Sequence, residues 1–197
     1  MRELIILLLF VLVVRESASQ NYGTIGMPGG TLTGGELDSI KVTILQHQES
    51  DNTSATIITK FDQWDARTIN TEVIDQIGVT IVGDTAFTLP SGTYLIDYST
   101  SFFADLNNFY HIQTRIYNQT AASEVGRGES WTQANTAALS ANLSGHGFVS
   151  LGSAATLTIQ HWLGPSANIN SAREGYRTSG INAGTEIFAT VTITKLN

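Results

Sequence analysis

A two-residue alternation of apolar and polar positions runs through most of the chain beyond residue 40. From Gly92 to Ala104 it places Tyr94 and Ile96 on one face and Leu95 and Asp97 on the other, the period of a half-buried strand. Leu157, Ile159 and His161 share a face against Thr158, Gln160 and Trp162, while Ile187, Ala189, Val191, Ile193 and Lys195 oppose Phe188, Thr190, Thr192 and Thr194. The pattern predicts strands over Ile40–His47, Ala55–Ile58, Thr80–Ile81, Ala86–Leu89, Gly92–Ala104, Phe109–Asn118, Glu124–Thr132, Ala137–Leu151, Ala155–Leu163 and Glu186–Leu196. Turn signals separate them at Ser50-Asp51-Asn52, Gly83-Asp84, Pro90-Ser91-Gly92, Asn107-Asn108, Gly145-His146-Gly147 and Gly164-Pro165. No long stretch has helical periodicity. Closely spaced strands of this kind predict an all-β antiparallel sandwich or barrel.

Composition supports that reading. Thr, Ser, Asn, Gly, Ile and Val abound, and charged residues make up only 14% of the 197, well below the usual quarter. Such a surface suits either an extracellular particle or extensive burial between subunits. The formal charge is −7 without a Lys/Arg cluster, which argues against a nucleic-acid surface. Cysteine is absent, so disulfides, thiolate metal sites and cysteine nucleophiles are excluded together.

Leu4 to Val14 is an uninterrupted apolar run, preceded by Arg2 and followed by Arg15-Glu16-Ser17-Ala18-Ser19-Gln20. It is short for a membrane-spanning helix. The pattern predicts a signal-like segment over 1–19, cleaved before Gln20; the competing expectation is a retained apolar arm that inserts into a neighbouring subunit or a membrane. A Gly-rich connector follows over 20–38, leaving 39–197 as the sandwich domain.

Candidate chemistry is sparse. His47, His111, His146 and His161 are scattered rather than spaced as ligands on one element, and a structural or surface role is expected for them. No nucleophile elbow, Walker loop, zinc-protease helix or dinucleotide turn is present. Asp62 and Asp65 flank Trp64 as a carboxylate pair suited to acid–base work or a calcium ion, and Asp105, Asn107 and Asn108 form a second oxygen-rich loop read as an ordinary turn. Trp131, Trp162 and Tyr176 are candidate stacking platforms for sugar rings, weighed against core or interface packing. Asn52, Asn118 and Asn142 each begin an N-x-S/T glycosylation triplet.

Several ordered segments carry a family resemblance. Trp64 to Thr71 reads W-D-A-R-T-I-N-T, Phe87 to Tyr94 reads F-T-L-P-S-G-T-Y, and His111 to Thr120 reads H-I-Q-T-R-I-Y-N-Q-T. Leu157 to His161 reads L-T-I-Q-H, with a closing strand up to Lys195. From Trp64 to Lys195 this series resembles the tumour necrosis factor-like and complement globular-head-like jelly rolls of bacteriophage and large algal virus structural proteins. The chain departs from that pattern in Phe188, where the family has Tyr, in an additional residue between His111 and Arg115, and in its apolar N-terminus.

The resemblance implies an antiparallel jelly-roll β-sandwich that associates as a homotrimer and is displayed on a virion or fibre surface. It implies no catalytic residue, metal or cofactor. The expected function is structural or adhesive and non-enzymatic, with other virion or fibre proteins and a host-surface glycan or receptor as partners. Membrane contact is expected only through Leu4 to Val14, if retained. Two alternatives are a secreted carbohydrate-binding module and an extracellular filament subunit that assembles through its N-terminal arm.

Overall fold

The computed structural model of the protein describes residues 40–50, 53–104, 110–133, 139–164, 172–176 and 184–196, all within the unit Asp38–Asn197. The expected signal-like arm, the Gly-rich connector, Asn52 and the Asp105–Asn108 loop lie outside them. Eleven strands are described: β1 (Lys41–Glu49), β2 (Trp64–Ala66), β3 (Thr71–Asp75), β4 (Thr80–Val82), β5 (Ala86–Leu89), β6 (Gly92–Ala104), β7 (Tyr110–Asn118), β8 (Ser123–Gln133), β9 (Leu139–Leu151), β10 (Ala155–Leu163) and β11 (Glu186–Lys195). Among the described residues no helix is long and apolar enough to cross a membrane.

Every strand pairing is antiparallel, and the main ones are nested. β7 pairs with β8, β6 with β9, β5 with β10 and β1 with β11. The chain is thus one long hairpin. Its successive rungs fall alternately in two sheets, β3-β1-β11-β6-β9 and β8-β7-β10-β5-β4, and that winding defines a jelly-roll sandwich. β2 and β5 occupy successive lengths of β10, at 160–162 and 155–157 respectively.

Side-chain alternation explains the core. Tyr94, Ile96 and Tyr98 of β6 point inward to meet Leu157 and Ile159 of β10 and Val191 and Ile193 of β11, while Phe102 of the same strand packs in a second cluster with Ile58, Ile112, Leu143 and Leu163. Burying each large apolar side chain contributes roughly 1.5–3 kcal/mol. A turn follows β5, and the Tyr94 hydroxyl pins it by donating to the Pro90 carbonyl at 3.0 Å.

Five expectations are corrected. Ala55–Ile58 forms no strand and holds only an isolated bridge from Ile57 to Arg173. Two strands were not expected, β2 and β3, the former three residues long and the latter almost wholly exposed. Gly145-His146-Gly147 lies inside β9 rather than in a turn. Thr158, expected on the outer face of β10, is buried and donates its hydroxyl to the Thr85 carbonyl at 2.9 Å. In β11, Phe188 is buried whereas Ile187 is half exposed. The physical cause is a bulge: His47 pairs with Ala189 and Gln48 with Ile187, so Phe188 has no opposite residue and turns inward.

Candidate functional site

The two sheets present contrasting outer faces. On the first, three rows follow from the strand registers: Val42–Thr194–Leu95–Phe148, Ile74–Ile44–Thr192–Asp97–His146, and Gln46–Thr190–Ser99–Ser144. Asp97 is the one carboxylate in this grid. Phe148 is 61% exposed and Ile74 44%, so large apolar groups stand among threonines and serines. Charge depletion around exposed apolar residues is the composition of an interface centre.

The second sheet carries arginines stacked among aromatics. The Arg115 guanidinium lies 4.0 Å from the Trp64 ring centroid and 4.4 Å from that of Tyr117, and its Nε donates to Gln160 Oε1 at 2.8 Å. Arg127 donates to both Glu124 carboxylate oxygens, at 3.0 and 2.8 Å. These hydrogen bonds, followed by the charges of Arg127 and Arg115, hold Glu124 below the usual carboxylate range although partial burial opposes them. Trp162 meets His111 edge-on at 5.9 Å between centroids.

The sheets close upon each other where β8 touches β9 at Gly128 and Gly145. Glycine is required by the close approach. A Cβ on Gly145 would lie 2.6 Å from Gly128 Cα, and one on Gly128 would lie 2.7 Å from the Ser144 carbonyl oxygen. The Tyr98 hydroxyl fills the remaining space and donates to Thr114 Oγ1 at 2.9 Å; burial pushes this phenol up to about 12. Above the seam is an open cleft of about 420 Å³ lined by Asp97, Tyr98, Arg127, Glu129, Ser144 and His146.

A third constellation is internal. Arg67 is fully buried, and its Nη2 donates to the carbonyls of Glu174 and of Phe188, the latter at 2.9 Å. The Glu174 carboxylate accepts from the Thr68 amide at 3.2 Å, lies 3.4 Å from His47 Nδ1, and lies 3.9 Å from His161 Nδ1. His47 Nε2 contacts Glu49 at 3.1 Å. Burial lowers Arg67 to about 10 against the opposing pull of Glu174, so it is charged at neutral pH. Burial also drives His161 to about 4; Glu174 opposes this and Arg67 reinforces it. His47 is lowered by burial, with Glu174 and Glu49 pulling the other way.

The residues singled out from sequence are dispersed. Trp131 is opposite buried Ile112 and packs against the cluster of Ile58, Phe102, Leu143 and Leu163, whereas Trp162 is opposite Gln113 on the outer face. Tyr176 is exposed and stacks on Phe103 at 4.3 Å. The three aromatics do not form one platform. Asn118 is buried and its Oδ1 accepts from the Ala121 amide at 3.0 Å, which commits it to the β7–β8 turn. Asn142 is exposed and accepts from the Ser101 hydroxyl at 2.9 Å. Asp65 pairs with Lys60 at 2.6 Å, and Asp62 is an exposed residue at φ 54°. Among the described residues no group of three or more histidines and carboxylates is arranged to hold a metal ion.

Of the four histidines, the structure joins His47 and His161 through Glu174 and leaves His146 exposed at the cleft. The sequence held one signal for that pair. His47 follows Leu45, and His161 follows Ile159, at inward positions of alternating strands.

The architecture defines the chain as a jelly-roll sandwich protein. No family model matches its sequence, and no curated protein matches it either. Among solved structures it is similar to the globular domain of zebrafish complement 1qA protein, with 13% identity over 80% of this chain and 97% of that one, at a TM-score of 0.41. It is also similar to murine APRIL in crystals at pH 8.5, with 17% identity, coverage of 80% and 99%, and a TM-score of 0.43. For murine APRIL at pH 5.0 the values are 14%, 80%, 99% and 0.44.

Proposed function

We propose that this chain is a non-enzymatic structural or adhesive protein that works as a homotrimer at an extracellular or virion surface. The observation that carries the reading is the outer face of the first sheet, with a single carboxylate in its grid and with Leu95, Phe148, Ile44 and Ile74 standing at its surface. Covering these residues removes apolar area from water without stranding a charge, and hydroxyl-bearing neighbours can pair across a junction. The ordered motif series from Trp64 to Lys195 supports three copies as the assembly. A virion or fibre is the corresponding setting.

Sedimentation equilibrium of the full chain tests this directly. Three-chain particles are expected, and Phe148→Glu is expected to dissociate them, because it replaces the most exposed apolar side chain of the covered face with a carboxylate. A monomeric native chain at micromolar concentration refutes the proposal.

A second reading, that the protein binds a host-surface glycan, is favoured by the outer face of the second sheet. There Arg115 lies against both Trp64 and Tyr117, combining aromatic surface with hydrogen-bond donors. A glycan array probed with the native protein is expected to give hits that weaken in Trp64→Ala. An array without hits removes this reading while leaving the trimer intact.

A further inference from the structure

Residues 172–176 are held into the sandwich from both sides. The Ile58 amide donates to the Ala172 carbonyl at 2.9 Å, and the Glu174 amide donates to the Thr56 carbonyl at 3.0 Å. On the other side Phe103 and Arg173 exchange both backbone hydrogen bonds, each at 3.0 Å. Gly175 lets the chain pass the Phe188 ring, since a Cβ there would lie 2.8 Å from Phe188 Cε1. From this segment the Glu174 side chain enters the interior, where it is 4% exposed.

We propose that His47, His161 and Glu174 form an acid-sensitive latch, which holds residues 172–176 in the sandwich at neutral pH and releases them when the histidines take up protons. The charge balance carries the argument. At neutral pH the buried set contains one positive group, Arg67, and one negative group, Glu174. Protonating His161 adds a positive charge beside Arg67, with its ring edge-on to Phe102 at 5.7 Å and both nitrogens buried without a hydrogen-bond partner among the protein atoms. Glu174 is 3.9 Å away; its carboxylate already faces His47 and accepts from the Thr68 amide, while Arg67 is bonded to its backbone carbonyl.

The surroundings do not rescue the added charge. Asp65 favours protonated His161 and Lys60 disfavours it, and these two are themselves paired at 2.6 Å. His47 has Glu49 at 3.1 Å and Glu174 at 3.4 Å, with Phe188 edge-on at 5.5 Å and the Arg67 charge nearby. Opening moves Glu174 out of the cluster and admits water, which solvates the imidazolium groups. Burial of an uncompensated charge is thereby relieved by local motion rather than by loss of the sandwich.

The His161 value of about 4 in the closed state, against an ordinary 6.5 once open, sets the scale. Acidification from pH 7.5 to 5 then favours opening roughly 30-fold through this residue alone. His47 adds to the same direction.

Amide hydrogen exchange of the full chain, expressed as protection factors so that intrinsic pH dependence is removed, reads the latch at four positions. Protection at Ile58, Phe103, Arg173 and Glu174 is expected to fall by tens-fold at pH 5 relative to pH 7.5 and to lie below that of core β6–β11 amides such as Val191, which exchange only by global unfolding, at both pH values. In His161→Gln the pH-dependent fall is expected to shrink, and His146→Gln, at an exposed histidine, leaves it unchanged. Equal protection of the four amides at the two pH values overturns the proposal. So does protection at the four amides equal to that of Val191 at both pH values, which reports that they exchange only by global unfolding. Should His161→Gln fail to fold, wild-type His161 is followed by NMR: titration at its ordinary value with no linked change at the four amides also overturns it.

Discussion

The interior has two regions built on opposite principles. Around Phe87, Tyr94, Leu157 and Val191 it is apolar, with the Tyr94 hydroxyl completing a turn and the Tyr98 hydroxyl donating to Thr114. Around Arg67 it holds a guanidinium, a carboxylate and two imidazoles, five of whose nitrogens have no hydrogen-bond partner among the protein atoms. The apolar region gains stability in proportion to the area it removes from water and has nothing to titrate near neutrality. The charged region gains little net stability, because desolvation offsets attraction. What it gains is conditionality. Arg67 joins the β2–β3 connection to Glu174 and to the Phe188 bulge, so three separate parts of the chain must be in place together for its donors to be used.

The largest effects are expected from deleting one group in each region. Phe87→Ala opens a cavity in the apolar region and is expected to cost about 3–5 kcal/mol. Arg67→Ala leaves Glu174 buried without its cation and is expected to cost a similar amount, about 3–5 kcal/mol. The comparison lies in how the two losses depend on pH, measured by urea denaturation at pH 7.5 and 5. The Phe87 cost is expected to be the same at both. The Arg67 cost is expected to shrink in acid, because without the guanidinium His47 and His161 protonate more easily beside Glu174. Parallel pH dependence in the two variants would erase the distinction between the regions.

Next in size is the acid response of the native chain. His161 is lowered from 6.5 to about 4 in the folded protein. A base whose affinity for protons falls on folding makes no such contribution above its unfolded value. Below that value the unfolded chain binds the proton first, so stability declines as pH falls from about 6.5 towards 4, by about 3 kcal/mol in all. His47, shifted the same way, adds to the loss. Denaturation midpoints across this range check it; a flat profile contradicts the assignment of both imidazoles to the buried cluster.

How far this was legible in the sequence differs between the regions for a physical reason. Alternation fixes which residues face inward whenever both neighbours on the strand are unambiguous. The bounds of β5, β6 and β10 accordingly coincide with those expected from the pattern. β3 escaped because T-E-V-I-D has nearly all its side chains exposed, and a strand without a buried face leaves no alternation to read. The charged region escaped because its members come from β1, β10, the β2–β3 connection and residues 172–176. No spacing along the chain relates them. The Gly145-His146-Gly147 triplet failed for another reason: a glycine needed for close approach of backbones has the same signature as one needed for a turn.

Smaller effects sharpen the boundary between regions. Tyr98 sits at the seam with its ring in the apolar cluster and its hydroxyl on Thr114. Tyr98→Phe keeps the ring and deletes one donor, leaving the Thr114 hydroxyl without that partner, although it also reaches the Glu129 carbonyl at 3.5 Å. A loss of about 1 kcal/mol is expected. Because the phenol titrates near 12, that loss is expected to be constant from pH 5 to 8, unlike the loss at Arg67.

The smallest effect is expected at Glu124, and it tests whether charge or burial distinguishes the charged interior. Glu124 makes a two-pronged ion pair with Arg127, better in geometry than the contact of Glu174 with either histidine. Yet Arg127 is more than half exposed and Glu124 about a third, so water and salt screen both charges and their release costs little. Glu124→Gln is therefore expected to change stability by less than about 0.5 kcal/mol, and by less still at high salt. Were this exposed pair to match Arg67→Ala in cost, desolvation would not be what separates the two regions, and the acid response attributed to the interior would have to be sought in surface charge as well. A near-zero result assigns the difference to burial, since both places hold a guanidinium and a carboxylate.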